Sequence, residues 1–341
     1  MVEMATQSAW CPDYCRWARR VLAGALMGCQ CALAQAPVTG GAQDYPSRQI
    51  RIVAATAAGG GVDTISRIVG QKLSDKWGQQ VIVDNRAGAG GAVGSELAAK
   101  SPADGYTLLT ISISYAVIPS SHRNLGYDPV RSLIPVMVLV IAPNVLVVHP
   151  SLPVQSVKEL LAFAKVRRGQ IYYASSGNGS PAHLAVELLK QMTGVDFVHV
   201  PYKGTAPGIT DLLAGRLSLT FASEISVMPF VKAGKLRALA VGGSKRSATI
   251  PDIPTVAQAG VPGYEVDVWY AAFAPAATPK AIVTQLNEEI GRILRLPETK
   301  DRLTGLGLEP VGNTHEQAAT YINAEISKWA KVVKSADIRA D

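Results

Sequence analysis

The sequence predicts an α/β fold in two domains, and three observations predict it. Short Ile- and Val-rich runs alternate with Ala- and Leu-rich stretches of helical spacing, the pattern of strand and helix units built on parallel sheets. The strand-like runs repeatedly empty into loops of Gly, Ser, Asn or Pro that open the next helix. The 341 residues, 48% hydrophobic and 17% charged, are more chain than one core usually organises.

Residues 1–34 differ from the rest. Arg16, Arg19 and Arg20 precede an apolar run at 21–34 that closes on Ala32-Leu33-Ala34, the plan of a secretory signal peptide cut near Ala34. The run is too short to span a bilayer, and no later stretch of 18 apolar residues follows. Leu26-Met27-Gly28-Cys29 is a weak match to a lipid-attachment site and Arg19-Arg20 to a twin-arginine signal, and Met4 is an alternative start. The expected localisation is periplasmic. All four cysteines (Cys11, Cys15, Cys29, Cys31) fall in this leader, so the exported chain has neither a disulfide nor a thiol nucleophile. The formal charge is +7, spread without basic runs interleaved with aromatics, which argues against nucleic acid and favours the gathering of small anions.

After a spacer (35–45), residues 49–55 read as a strand that ends in the loop 56–63, with apolar spacing at Ile65, Ile68, Val69 and Leu73 marking a helix. Asp63 is placed either to cap that helix or to shape a pocket. The strand at 80–83 leads into the glycine loop 84–94. Its spacing, G-x-G-G-x-x-G after the second strand, misses the dinucleotide fingerprint and fits a small-anion cradle or a tight packing turn. The strand at 106–113 places Ser112, Ser114 and Tyr115 at its carboxyl end, where α/β sheets bind ligands. Apolar strands at 136–141 and 144–149 follow, the second expected to enter another domain.

The second domain carries a helix at 157–164 and then an anion cradle. A strand at 171–174 gives way to Ser175-Ser176-Gly177-Asn178-Gly179-Ser180, with Ser180 as N-cap and Pro181 as first helical residue. The free N–H groups of a helix start favour a carboxylate or phosphate. A second unit repeats the plan: strand 197–200, loop 201–207 and helix 208–214. Strands at 217–221 and 236–241 flank Ala222-Ser223-Glu224 and a further helix. The segment 250–264 returns the chain through a strand at 269–273, and helices at 282–294 and 315–333 close the first domain. The expected organisation is signal peptide 1–34, spacer 35–45, domain 1 at 46–143 with 265–341, and domain 2 at 144–264.

The runs at 84–91, 101–106, 175–181, 199–204, 232–241, 252–256 and 263–264, in that order and covering nearly all of residues 46–335, resemble the Bug or TctC-like substrate-binding proteins of tripartite tricarboxylate transporters. The resemblance implies a type II periplasmic-binding-protein fold, two α/β domains with a hinge and a cleft that closes on a small di- or tricarboxylate or aromatic acid. It further implies delivery to membrane transporter subunits, no cofactor and no metal; a monomer is the default for the architecture. By motif position the ligand-contacting residues are Thr56, Gly60, Gly61, Asp63, Gly90, Gly91, Ser112 and Ser114 from one domain. From the other they are Ser175, Ser176, Asn178, Gly179, Ser180, Lys203, Gly204, Thr205, Ala222 and Ser223. Two departures fall in the pocket: the first loop has Ala55-Thr56-Ala57-Ala58 where the family usually has Pro-Phe-x-Pro, and Ala222 replaces an Asp that many members carry. Loss of that carboxylate argues against an amino-acid ligand.

Two other classes stand beside the binding protein. A sensor subunit for a membrane kinase is indistinguishable by sequence. A hydrolase or lyase would need a nucleophile and base, yet no G-x-S-x-G or H-E-x-x-H occurs, and among the five histidines only His183, behind the cradle, invites a test. Lys203 either pairs directly with the ligand or is solvated, and Arg86 either does likewise or braces loops.

Overall fold

A computed structural model describes residues 45–339; the leader, its cleavage site, all four cysteines and residues 35–44 of the spacer lie outside the described residues. The described chain opens with β1 (Ile50–Ala54), α1 (Gly61–Trp77), β2 (Val81–Asn85), a 3-10 turn (Ala89–Gly91), α2 (Ala92–Ala99) and β3 (Thr107–Ser112). A second 3-10 turn (Ile113–Ala116) and α3 (Ile118–Ser121) lead to β4 (Leu133–Ala142), which passes through Pro143 into β5 (Asn144–Val148). Next come α4 (Val157–Val166), β6 (Tyr172–Ser175), α5 (Pro181–Thr193), β7 (Val198–Pro201), α6 (Thr205–Leu213), β8 (Leu219–Ser223), α7 (Glu224–Lys232) and β9 (Arg237–Val241). The chain closes with β10 (Val268–Pro275), α8 (Lys280–Arg295), α9 (Pro297–Gly305), β11 (Glu309–Pro310) and α10 (His315–Ser335).

Two sheets carry these elements, in the orders β11-β4-β10-β3-β1-β2 and β7-β6-β8-β5-β9. Strands β1, β2 and β3 run parallel, as do β6, β7 and β8, which puts the loops that follow them at one end of each sheet. The expectation of parallel sheets holds only for these triplets. β10 is antiparallel to β3 and β4, and β5 to β8 and β9, because these strands carry the chain from one sheet to the other and enter from the opposite end. The two crossings are fastened together: Gly242 N donates to Asn144 O at 2.7 Å, Val266 N to Gly242 O at 2.8 Å, and Val268 pairs with Ala142.

Several boundaries differ from the sequence reading for physical reasons. Helix α6 starts at Thr205, three residues before the expected start, because Pro207 sits in its first turn, where a missing N–H costs nothing. Helix α9, with Pro297 at its first position, and strand β11 lie in a stretch read as connection. Tyr45, counted with the spacer, is buried and donates to Gly105 O at 2.6 Å.

The core of the first sheet is made by β1, β3, β4 and β10, all nearly solvent-free, against α1, α8 and α10. Helix α10 is held by a buried carboxylate: Trp269 Nε1 and Trp329 Nε1 both donate to Glu325 Oε2, at 3.1 and 2.8 Å, and Lys328 Nζ donates to Oε1 at 2.9 Å. The glycine loop after β2 is a packing device. A Cβ on Gly94 would lie 3.0 Å from Ala55 Cα and 3.0 Å from Arg86 O, both backbone atoms that cannot turn aside. Gly94→Val is therefore expected to destabilise the protein by about 1–3 kcal/mol in urea unfolding, whereas Gly305→Ala, with no neighbour within 4 Å of the added carbon, is expected to leave stability within about 1 kcal/mol.

Candidate functional site

The loops that follow β1, β6, β7 and β8 meet at a cavity of about 750 Å³ between the two sheets. Four helices begin at its wall: α1 through Gly60 and Gly61, α5 through Pro181, α6 through Thr205, and α7 through Ser223. Each is eight residues or longer, so each start turns the positive pole of its helix, with N–H groups that lack partners within the helix, toward the same space. Among the described residues no Lys, Arg, Asp or Glu side chain lines the cavity. A ligand anion here is met by neutral donors alone.

At the crossing the wall is formed by Ala142, Asn144, Val268 and Tyr270. Asn144 is 4% exposed, and its buried Nδ2 has no hydrogen-bond partner, an unmet donor in the wall. Tyr270 stands over the start of α1, so close that a Cβ on Gly61 would fall 2.5 Å from its hydroxyl. This explains the glycine: any side chain there would push the tyrosine from the wall. Burial pushes the Tyr270 phenol up to about 12, so it stays protonated and neutral at ordinary pH.

Of the residues singled out in the sequence, Gly60, Gly61, Ser176, Thr205, Ala222 and Ser223 line the cavity together. The others do not. Asp63 is the third residue of α1 and lies behind its start, accepting from Gly59 N at 2.9 Å, Asn85 Nδ2 at 2.9 Å and Arg67; Gly60, not Asp63, is the N-cap. Burial opposes ionisation of Asp63, but the hydrogen bonds from Arg67, Gly59 and Asn85 outweigh it and hold the carboxyl below the usual range. Thr56 is half-buried outside the lining. Gly90 is exposed and Gly91 packs against Ile111. Ser112 and Ser114 bond to each other at 3.0 Å beside β10. Ser180 caps α5 by position only, since its hydroxyl makes no cap bond. Asn178 and Lys203 are exposed, and Asn178 Nδ2 donates to Arg339 O at 3.3 Å. Gly204 precedes α6 with φ +111°.

Behind the cradle lies a feature the sequence did not disclose. His183 and His199 stack with ring centroids 4.0 Å apart and planes 9° from parallel, with Tyr173 against His199. His183 Nδ1 accepts from Gly179 N at 3.1 Å. Ser175 Oγ donates to Gly177 O, accepts from Gly177 N, and meets His199 Nε2 at 2.6 Å, so all its bonding capacity is used within the loop. Ser175 is 3% exposed and neither it nor His183 lines the cavity. The serine–histidine pair thus braces the cradle and presents no nucleophile to it. Among the described residues no group of three or more His, Cys, Asp or Glu is placed to hold a metal, and no helix is long and apolar enough to cross a membrane.

Among the lining residues missed by sequence are Asn144, Tyr270, Thr64, the side chains along α6 and α7 and the Leu306-Gly307-Leu308 turn, which reaches α7 where a Cβ on Gly307 would lie 3.7 Å from Ile225 N. Asn144 could have been flagged as the one amide opening an apolar strand; the others carry no local signal.

The family model described as tripartite tricarboxylate transporter family receptor matches residues 65–338. Protein BugT of Bordetella pertussis is 38% identical over 301 residues, covering 88% of this chain and 92% of its own. Among solved structures, R. palustris Rpa4515 with adipate superposes with a TM-score of 0.78 at 39% identity, covering 87% of this chain and 99% of its own. The periplasmic binding protein BugD gives 0.75 at 32% identity, with 86% and 99% covered.

Burial, the neighbouring His199 and Lys190 push His183 down to about 3 from an ordinary value of 6.5. Between those values the unfolded chain holds a proton that the folded chain lacks, so native stability is complete above about 6.5 and declines as pH falls toward 3. Urea unfolding at pH 7 and pH 4.5 is expected to show this loss, and His183→Gln to show less of it; an unchanged slope in the variant would mean that His183 titrates normally.

Proposed function

The chain belongs to the tripartite tricarboxylate transporter receptor family, and from that premise we propose that its cleft captures a small organic carboxylate and presents it to the membrane subunits of a transporter. The observation that carries this reading is the meeting of four helix starts and the unpaired Asn144 amide on a cavity that no charged side chain lines among the described residues. Such a wall stabilises an anion by dipoles and N–H groups that are already in place, and it releases the ligand without breaking a salt bridge. The relative Rpa4515 was solved with adipate, a dicarboxylate, which supports the same chemistry here.

In this reading the protein works in the periplasm, exported by the 1–34 leader, as a monomer that performs no chemistry on its ligand. The halves at 46–143 with 265–341 and at 144–264 close about the paired crossings at Pro143 and residues 242–266. No nucleic acid, metal or cofactor is required.

A thermal-shift screen of the purified protein against adipate, citrate, hexanoate, benzoate, glucose and NAD is expected to give stabilisation with at least one carboxylate, through mass action on the folded state. Stabilisation by glucose or NAD alone would overturn the reading. With the best carboxylate, Asn144→Ala is expected to weaken binding by roughly tenfold, the scale of one hydrogen bond to a charged group, and Lys203→Ala to leave it within about twofold; the reverse pattern in calorimetry would replace the neutral wall with a direct cation.

A further inference from the structure

We propose that the ligand is an elongated amphiphilic monocarboxylate, an acid with one carboxylate and an apolar chain or ring, and not a short polycarboxylate. This rests on the reading of the cavity as a carboxylate site and concerns its two unlike ends.

Helix α6 lines the cavity along its whole length. Thr205 and Ala206 at its start, Ile209 and Thr210 one turn on, and Leu213 at its last residue all face the space. This is one face of a helix at i, i+4 and i+8, and it runs about 12 Å at 1.5 Å per residue. Helix α7 adds Ile225, Ser226 and Phe230, and Ala222 of β8, packed in the same hydrophobic cluster as Ile209, Leu213 and Phe230, closes the wall between them. The cavity is therefore a slot that enters at the helix starts and runs down between α6 and α7.

Its two ends have opposite preferences. The entrance, with Gly61, Pro181 and Thr205, takes a negative charge. The far end lies at Leu213 and Phe230, in the last turns of α6 and α7, at the negative pole of each helix. A second carboxylate placed there would meet apolar side chains and unfavourable dipoles, with no cation among the described lining residues. A short tricarboxylate would fill the entrance and press its remaining charges against the same wall. An apolar chain instead gains from each methylene that leaves water.

Calorimetry with butanoate, hexanoate, octanoate, adipate and citrate tests this. Affinity is expected to rise about fourfold per added methylene until the slot is full, with hexanoate at least tenfold tighter than adipate. Phe230→Lys places a cation at the far end and is expected to reverse that order; Leu213→Lys does the same from the facing helix should the first variant fold poorly, as judged by circular dichroism. Adipate or citrate binding more tightly than hexanoate to the unaltered protein, or affinity independent of chain length, would overturn the inference and leave the carboxylate reading intact. Silence with every acid would overturn both.

Discussion

The cleft exists because the chain crosses between the sheets twice at one place. β4 leaves its sheet at Ala142 and becomes β5 at Asn144, and the return at residues 242–268 is bonded to that passage by Gly242 and Val268. Glu224 N, at the start of α7, donates to Pro143 O at 3.2 Å, so even a helix start of the second sheet is referred to this junction. Buried backbone groups must be paired, and the crossings pair each other. The wall at the crossing is positioned by that knot: Asn144 and Val268 belong to it, Ser223 pairs with Asn144, and Tyr270 lies one strand position further along the same face.

From this constraint the electrostatics follow. Parallel triplets on both sheets point their following helices at the gap, so the positive poles of α1, α5, α6 and α7 gather at a cavity that no charged side chain lines among the described residues. Charges that do sit nearby are spent on bracing. Asp63 ties α1 to Asn85 and Arg67, and Asp84 is shared by Arg51 and Arg86. Glu224 accepts from Ser247 and Thr249. Using charged groups to stiffen loops and neutral groups to face the ligand keeps the pocket free of strongly hydrated ions that would have to be stripped on each binding event.

The strand, loop and helix rhythm was legible because each unit is local: β1 through Ala54, the glycine loop and Ile65 to Leu73 announce themselves within thirty residues. The cradle at 175–181 was legible for the same reason. What stayed hidden depends on contacts between distant residues. Asn144 looks like the polar edge of an apolar strand until the crossing buries it. Tyr270 matters because Gly61 leaves it room, and Leu306 to Leu308 because β11 pairs with β4. Conversely, Ser175, Asp63 and Gly91 carry the composition of a binding loop yet turn their polar or flexible character inward, to His199, Asn85 and Ile111. Motif position identifies the loop; which face of it meets the cavity is decided by packing.

The carboxylate of Glu325 that joins Trp269 to Trp329 has a consequence for observation. Trp269 belongs to the returning strand of the crossing and Trp329 to α10, and both are fully buried. Among the described residues only Trp77 is a third tryptophan. The protein therefore carries two indoles, bonded to a single anion, at the junction about which its halves are joined. Their emission is a native optical gauge of that junction, readable in the unlabelled chain.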